Sequence, residues 1–193
     1  MRLSTPTIRR PSADRRAQIR RVAAELFATN GFHGVSIEDI GSACGMSGPA
    51  LYKHFRSKDA ILADLLLGIS EHLLAGGKVQ VAATPDPEQA LAALISFHLD
   101  FALTDPDLIR VHDRDLANLG AQARRVRRLQ RSYVEIWRVA LQDARPHLTD
   151  AQARARIHAV FGLLNSTPHS AAGLDPATMR EILTHMATAA LAA

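Results

Sequence analysis

Sulfur and aromatic rings are scarce in this chain: one cysteine, Cys44, in 193 residues, and aromatics at 5%. A lone thiol excludes an internal disulfide and a cysteine-based zinc site, and it fits a reducing, cytoplasmic setting. With 47% apolar residues and so few rings, the core must be aliphatic and alanine-rich, which favours helices over sheets. Sustained strand alternation and internal repeats are both missing. So are long uncharged apolar runs: Asp64 interrupts the richest one, Ile61 to Leu67, which argues against a membrane span. The basic N-terminus runs into Thr5, Pro6 and Pro11 with no apolar stretch behind it, unlike a secretory leader.

Signatures of catalysis are also lacking. There is no phosphate-cradling glycine loop, and GMSGP misses a nucleophile elbow because Gly48 precedes the required position. The stretch VHDRD holds His112, Asp113 and Asp115, but without dense ligand spacing it reads as a salt-bridge cluster on a helix surface. No catalytic residue, cofactor or metal is therefore expected.

What the chain does have is an uneven charge. Residues 1–60 carry ten Lys/Arg and five Asp/Glu, whereas residues 61–193 carry thirteen and fourteen. A basic first part joined to a near-neutral body points to a polyanion partner for the first part alone. Ile19, Val22, Ala23, Leu26 and Phe27 share one helix face, ended by Gly31. Ser36 and Asp39 have capping-box spacing ahead of a short second helix, with Ile37, Ile40 and Cys44 on its buried side. Gly45 allows a tight turn, Ser47 caps a third helix with Pro49 in its first turn, and Ser57 caps a fourth running to about Gly76. Beyond a Pro- and Asp-rich linker, helical periodicity predicts helices near 87–104, 106–117, 121–144, 150–166 and 176–191. The expected fold is all-α: a flexible basic arm over 1–12, a three-helix head over 13–58, and a larger helical domain over 59–193.

Two short helices joined by a glycine turn form a helix-turn-helix, whose second helix lies in a DNA major groove. Leu51 and Phe55 can face the core of the head, while Pro49, Tyr52 and Lys53 share another face free of bulky aliphatic groups. Ser36, Ser47, Gly48, Pro49, Tyr52, Lys53, His54 and Lys58 are the candidate DNA-binding residues. Small residues at the helix start admit close approach, and Tyr52, Lys53, His54 and Lys58 can reach phosphates. The run AAELFATNGFHGVSIEDIGSACGMSGPALYKHFRSKDAIL closely resembles the DNA-binding head of the TetR/AcrR family of bacterial transcriptional regulators. The resemblance implies a homodimeric repressor on a double-stranded, palindromic operator. It also implies a small-molecule effector bound in the body and a dimer interface made by the last two helices. Pro49 stands where members often carry a more flexible or polar residue.

In the body, Arg124, Arg127, Arg128 and Arg131 fall on one side of a helix, opposite Val126, Leu129, Tyr133, Ile136 and Ala140. The arginines are either a solvated face or contacts to a large anionic effector such as an acyl-CoA. Phe97, His98, Phe101, Tyr133, Trp137 and Asn165 line an effector pocket or are ordinary core. Ile157, Val160, Phe161 and Leu164, then Met179, Ile182, Leu183 and Met186, repeat an i, i+3, i+4, i+7 stripe that suits a dimer interface. Against the regulator stand two other classes, a helical enzyme and an interaction module with a basic arm. Salt-dependent binding to promoter DNA separates the first from both.

Overall fold

The computed structural model describes residues 11–171 and 173–193, and the expected arm lies largely outside them. Among the described residues ten helices follow one another: α1 (Pro11–Asn30), α2 (Ile37–Ala43), α3 (Gly48–Tyr52), α4 (Lys58–Ala83), α5 (Pro87–Thr104), α6 (Pro106–Asp115), α7 (Ala123–Ala144), α8 (Asp150–Leu164), α9 (Thr167–Ser170) and α10 (Pro176–Ala192). A 3₁₀ segment, Leu116–Gln122, links α6 to α7. The chain is all-α, with a helix-turn-helix head and a helical body.

Caps set most of the boundaries. Ser36 and Asp39 form the reciprocal capping box of α2, the Ser57 hydroxyl accepts from Ala60 N, and Asp86 and Asp175 cap α5 and α10. Thr149 and Gln152 make a second capping box at α8. Gly45 takes φ 64°, the left-handed conformation that reverses the chain between α2 and α3.

The fourth helix does not stop near Gly76 but runs to Ala83, through Gly76 and Gly77. These glycines mark close approach. A Cβ at Gly76 would lie 2.0 Å from Phe97 Cζ, and one at Gly77 would lie 2.7 Å from Tyr133 Cε2. Without side chains there, α5 and α7 pack directly onto the α4 backbone. In length and hydropathy α4 would also suit a membrane span, but its apolar residues serve two cores of this fold.

The first core gathers Ile19, Phe27, Ile40, Leu51 and Phe55 of the head around Ile61, Leu62, Leu65 and Leu66 of α4. It continues past residue 58 to Val111, Leu119, Ala123 and Val126, so the head is seated on α6 and the start of α7. The second core joins α5, α7, α8 and α10 through Leu94, Leu99, Trp137, Leu141, Ile157, Val160 and Leu183. Between them lies a small cluster of Phe101, Ala102 and Ile109 with Ile69, Leu73 and Leu108 packed against it. That is where the cavity opens.

Candidate functional site

The outward face of the head is built on α3, which spans only five residues. Leu51 is buried beneath it, while Pro49, Tyr52 and Lys53 are exposed, Tyr52 to 50%. Lys53 and His54 fall in the turn after α3, and Gly48 is half-buried at its start. Ser47 occupies the N-cap position in extended conformation, yet its hydroxyl makes no capping bond. Ser36 remains exposed at the start of α2.

Lys58 departs from its expected place among the phosphate-reaching residues. Its ammonium turns inward, donating to the carbonyls of Phe32 and Val35 at 2.7 Å each, and it sits 4.3 Å from the Phe32 ring centre. It ties α4 to the loop after α1, leaving one N–H of three for anything else. Arg16, a residue without a signal in the sequence, makes a second tie. It donates to the His54 carbonyl at 2.9 Å and to Asp64 at 2.6 Å, and lies 4.0 Å from the centre of the Phe55 ring. The end of the helix-turn-helix is thereby fixed to α1 and α4.

The stretch VHDRD is more than a surface cluster. Arg114 reaches across to donate to the carbonyls of Phe27 and Ala28 near the C-terminus of α1. Its partner Asp115 is buried and accepts from Arg114 and from the Asn118 amide, each at 3.2 Å. Asn118 in turn meets His33 at 3.2 Å. The Arg114 cation thus meets the negative end of α1, where the Phe27 carbonyl also takes the Gly31 N–H at 2.9 Å, and clamps α6 to the head.

The other side of α6 faces a cavity of about 240 Å³. Leu108, Ile109 and His112 of α6 line it, with Ile69, Ser70 and Leu73 of α4 opposite. His98 and Phe101 of α5, Gln130, Tyr133 and Val134 of α7, and His158, Phe161 and Asn165 from α8 and its end complete the wall. Of the expected pocket residues, His98, Phe101, Tyr133 and Asn165 are therefore together. Trp137 and Phe97 are not in the lining. Trp137 is fully buried behind it, with its ring edge-on to Phe161 at 5.1 Å. Phe97 packs instead over Gly76 and against His72, 5.5 Å away.

His98 is the centre of the polar wall. Nδ1 lies 3.2 Å from the Tyr133 hydroxyl and Nε2 lies 3.0 Å from Asn165 Oδ1. Its ring stacks on Phe161 at 5.1 Å, and Phe161 stacks on Tyr133 at 5.6 Å. Burial lowers the His98 pKa to about 4, against the opposing bond to Asn165, so the ring is neutral at physiological pH. Burial also raises the Tyr133 phenol above its ordinary value.

A pH dependence follows. The unfolded chain takes up a proton near the ordinary value of 6.5, whereas folded His98 resists it down to about 4. The stability contribution is therefore fully present above 6.5 and is lost as pH falls from there towards 4, up to about 3 kcal/mol. Urea unfolding of the native chain and of His98→Gln at several pH values checks this. The variant should show a flatter acid limb, and parallel acid limbs would remove His98 as the cause.

Five of the eight residues expected at a dimer interface, Ile157, Val160, Leu164, Met179 and Leu183, are buried inside the body's own core. Phe161 lines the cavity, and only Ile182 and Met186 are exposed, at 39% and 47%. The helical stripe was real, but α5 and α7 of the same chain cover it. The exposed residues of α8 include Ala151, Ala155, His158, Ala159 and Gly162, and those of α10 include Ile182, His185, Met186 and Ala189. Arg124, Arg127, Arg128 and Arg131 are exposed outside the cavity lining, while neighbouring Arg125 pairs with Glu71 at 2.6 Å.

Residues 19–65 match the family model described as bacterial regulatory proteins of the tetR family, and residues 84–191 match that of the tetracyclin repressor-like C-terminal domain. The transcriptional activator FasR of Mycolicibacterium smegmatis is 32% identical over 93 residues, 48% of this chain and 42% of that relative. The transcriptional repressor KstR2 of Rhodococcus jostii is 26% identical over 130 residues, 66% of this chain and 64% of that one. The matches thus span less than two thirds of these curated relatives. A TetR-family regulator from Bordetella parapertussis superposes with a TM-score of 0.80 at 27% identity, covering 89% of this chain and 92% of that structure. With both halves matched and the fold shared, the chain belongs to the TetR family of helix-turn-helix DNA-binding transcriptional regulators.

Proposed function

We propose that this chain is a homodimeric, cytoplasmic repressor that grips a palindromic operator and is released from it by a small apolar effector held in the body cavity. The observation that carries this reading is the double attachment of α6. Leu108, Ile109 and His112 line the cavity, while Arg114, two residues further on, holds the carbonyls at the end of α1. A ligand acts on DNA binding only through different affinities for the competent and incompetent states. A molecule that pushes on α6 has that leverage, because α1 and the recognition helix are tied together through Arg16.

On the DNA side, Tyr52 and Lys53 present hydroxyl and ammonium groups, and the free hydroxyl of Ser47 adds a phosphate partner at the start of α3. Ser36, Gly48, Pro49 and His54 frame that surface. The outer faces of α8 and α10 supply the dimer contact, placing two heads about one DNA turn apart, roughly 34–36 Å. Selection of duplexes from a random pool, followed by footprinting, tests the reading. It should return a palindrome protected on two half-sites and bound by a dimer. Enrichment of an asymmetric single site bound by a monomer would reject it.

A further inference from the structure

Among the described residues that line the cavity there is no lysine, arginine, aspartate or glutamate. Most of the wall is aliphatic or aromatic, from Ile69, Leu73 and Leu108 to Phe101, Val134 and Phe161. Its polar groups are largely committed to other partners, apart from His158, which is exposed to solvent. Ser70 donates to the Leu66 carbonyl of its own helix at 2.7 Å, and His112 lies between Asp113 and Gln130.

The row Asn165–His98–Tyr133 has bonding capacity left over. A neutral imidazole holds one proton, so the row runs in one direction at a time. With Asn165 Oδ1 facing Nε2, that nitrogen carries the proton and Tyr133 donates to Nδ1. Two groups then remain: the Asn165 amide nitrogen, without a hydrogen-bond partner among the described residues, and a lone pair on the Tyr133 oxygen. If the Asn165 amide turns over, the row reverses, and Tyr133 becomes the free donor while Asn165 offers the acceptor. In either sense the row presents one donor and one acceptor, and no charge. A carboxylate placed there would lose its hydration with no lysine or arginine in the lining to meet it, His158 being turned to solvent, which is far more costly than burying a ketone or alcohol. The unpaired arginines of α7 do not help, since none of them lines the cavity.

We infer that the cavity takes a compact, uncharged, mainly apolar molecule bearing one carbonyl or hydroxyl group, and that it excludes the carboxylate of equal chain length; a carbonyl accepts from whichever of Asn165 and Tyr133 is the donor, whereas a hydroxyl meets both. This rests on the reading of the cavity as the effector site.

Trp137 is the only tryptophan, and its ring lies 5.1 Å from that of Phe161 in the cavity wall. Its fluorescence therefore reports occupancy without any DNA present. The native chain is titrated with methyl ketones of about six to eleven carbons and with the matching carboxylates, 2-nonanone against nonanoate being the central pair. The ketone should bind saturably and roughly tenfold or more tighter than the carboxylate. Asn165→Leu, with native helicity, should weaken the ketone about 3- to 10-fold. Equal or tighter binding of nonanoate overturns the inference and leaves the effector reading standing, and so does the absence of saturable binding across the ketone series. Ketone binding that leaves operator affinity unchanged overturns the effector reading instead, while the ligand class of the cavity holds.

Discussion

Replacing Ile182 and Met186 together by glutamate should turn the protein into a folded monomer and lower operator affinity by a factor on the order of 10²–10⁴. Both side chains are exposed on the outer face of α10, at 39% and 47%, so their loss costs the isolated fold little. They are large apolar groups, and α8 exposes the small residues Ala151, Ala155, Ala159 and Gly162 around His158, which would let a second pair of helices come close. Two like charges on each protomer would meet their own symmetry mates across a two-fold axis, which a buried interface does not tolerate. Without the dimer each head binds its half-site alone, and the gain from linking two binding events disappears. Sedimentation velocity and operator titration together check this. A variant that stays dimeric, or a monomer that keeps full operator affinity, would show that the interface lies elsewhere.

Trp137→Ala should lower stability by about 3–5 kcal/mol, and the melting temperature by roughly 6–20 °C. The indole is completely buried, with edge-on neighbours in His98, Tyr133 and Phe161 at ring distances from 5.1 to 6.1 Å. Removing it opens a void in the second core next to the cavity. The loss is one of packing, and it should appear in the absence of any ligand. Thermal melts of the two proteins decide the matter. A melting temperature within a degree or two of the native value would mean that the site collapses without cost or that Trp137 is less confined than its burial implies.

Much of the head was legible before any coordinates. Capping residues and i, i+3, i+4 spacing are local signals, and α1 to α3 depend on them: Ser36 with Asp39, the turn at Gly45, and Leu51 and Phe55 beneath the outward face. What local signals cannot carry is the identity of a neighbour. The apolar stripe of α8 and α10 was visible, but its cover is α5 and α7 of the same chain. Gly76 and Gly77 looked like a helix end, because glycine in a helix interior is costly unless another element needs the space. Phe97 and Tyr133, far along the chain, need it.

The cavity shows the same division. His98, Phe101, Tyr133 and Asn165 were recognisable as polar or aromatic groups on helix faces, whereas the aliphatic half of the wall resembles any other core. Arg114 and Lys58 both carry charges that read as solvent- or phosphate-facing. Each instead satisfies backbone carbonyls, of residues 86 and 87 positions away for Arg114 and 23 and 26 for Lys58. Carbonyls at the end of a helix and its following loop attract cations, but nothing in a single sequence says which cation will arrive.

The central claim is that α6 links cavity occupancy to DNA binding, and operator affinity with and without saturating 2-nonanone tests it most directly, in the native chain and in Arg114→Ala. The ketone should weaken native operator binding within the range typical of allosteric linkage, about 5- to 150-fold, and operator should weaken ketone binding by the same factor. In Arg114→Ala the factor should fall towards one, because the grip on the Phe27 and Ala28 carbonyls is gone while the cavity lining is unchanged. A native-sized factor in the Arg114→Ala protein, or a ketone that fills the cavity and leaves operator affinity untouched in the native chain, would contradict the account.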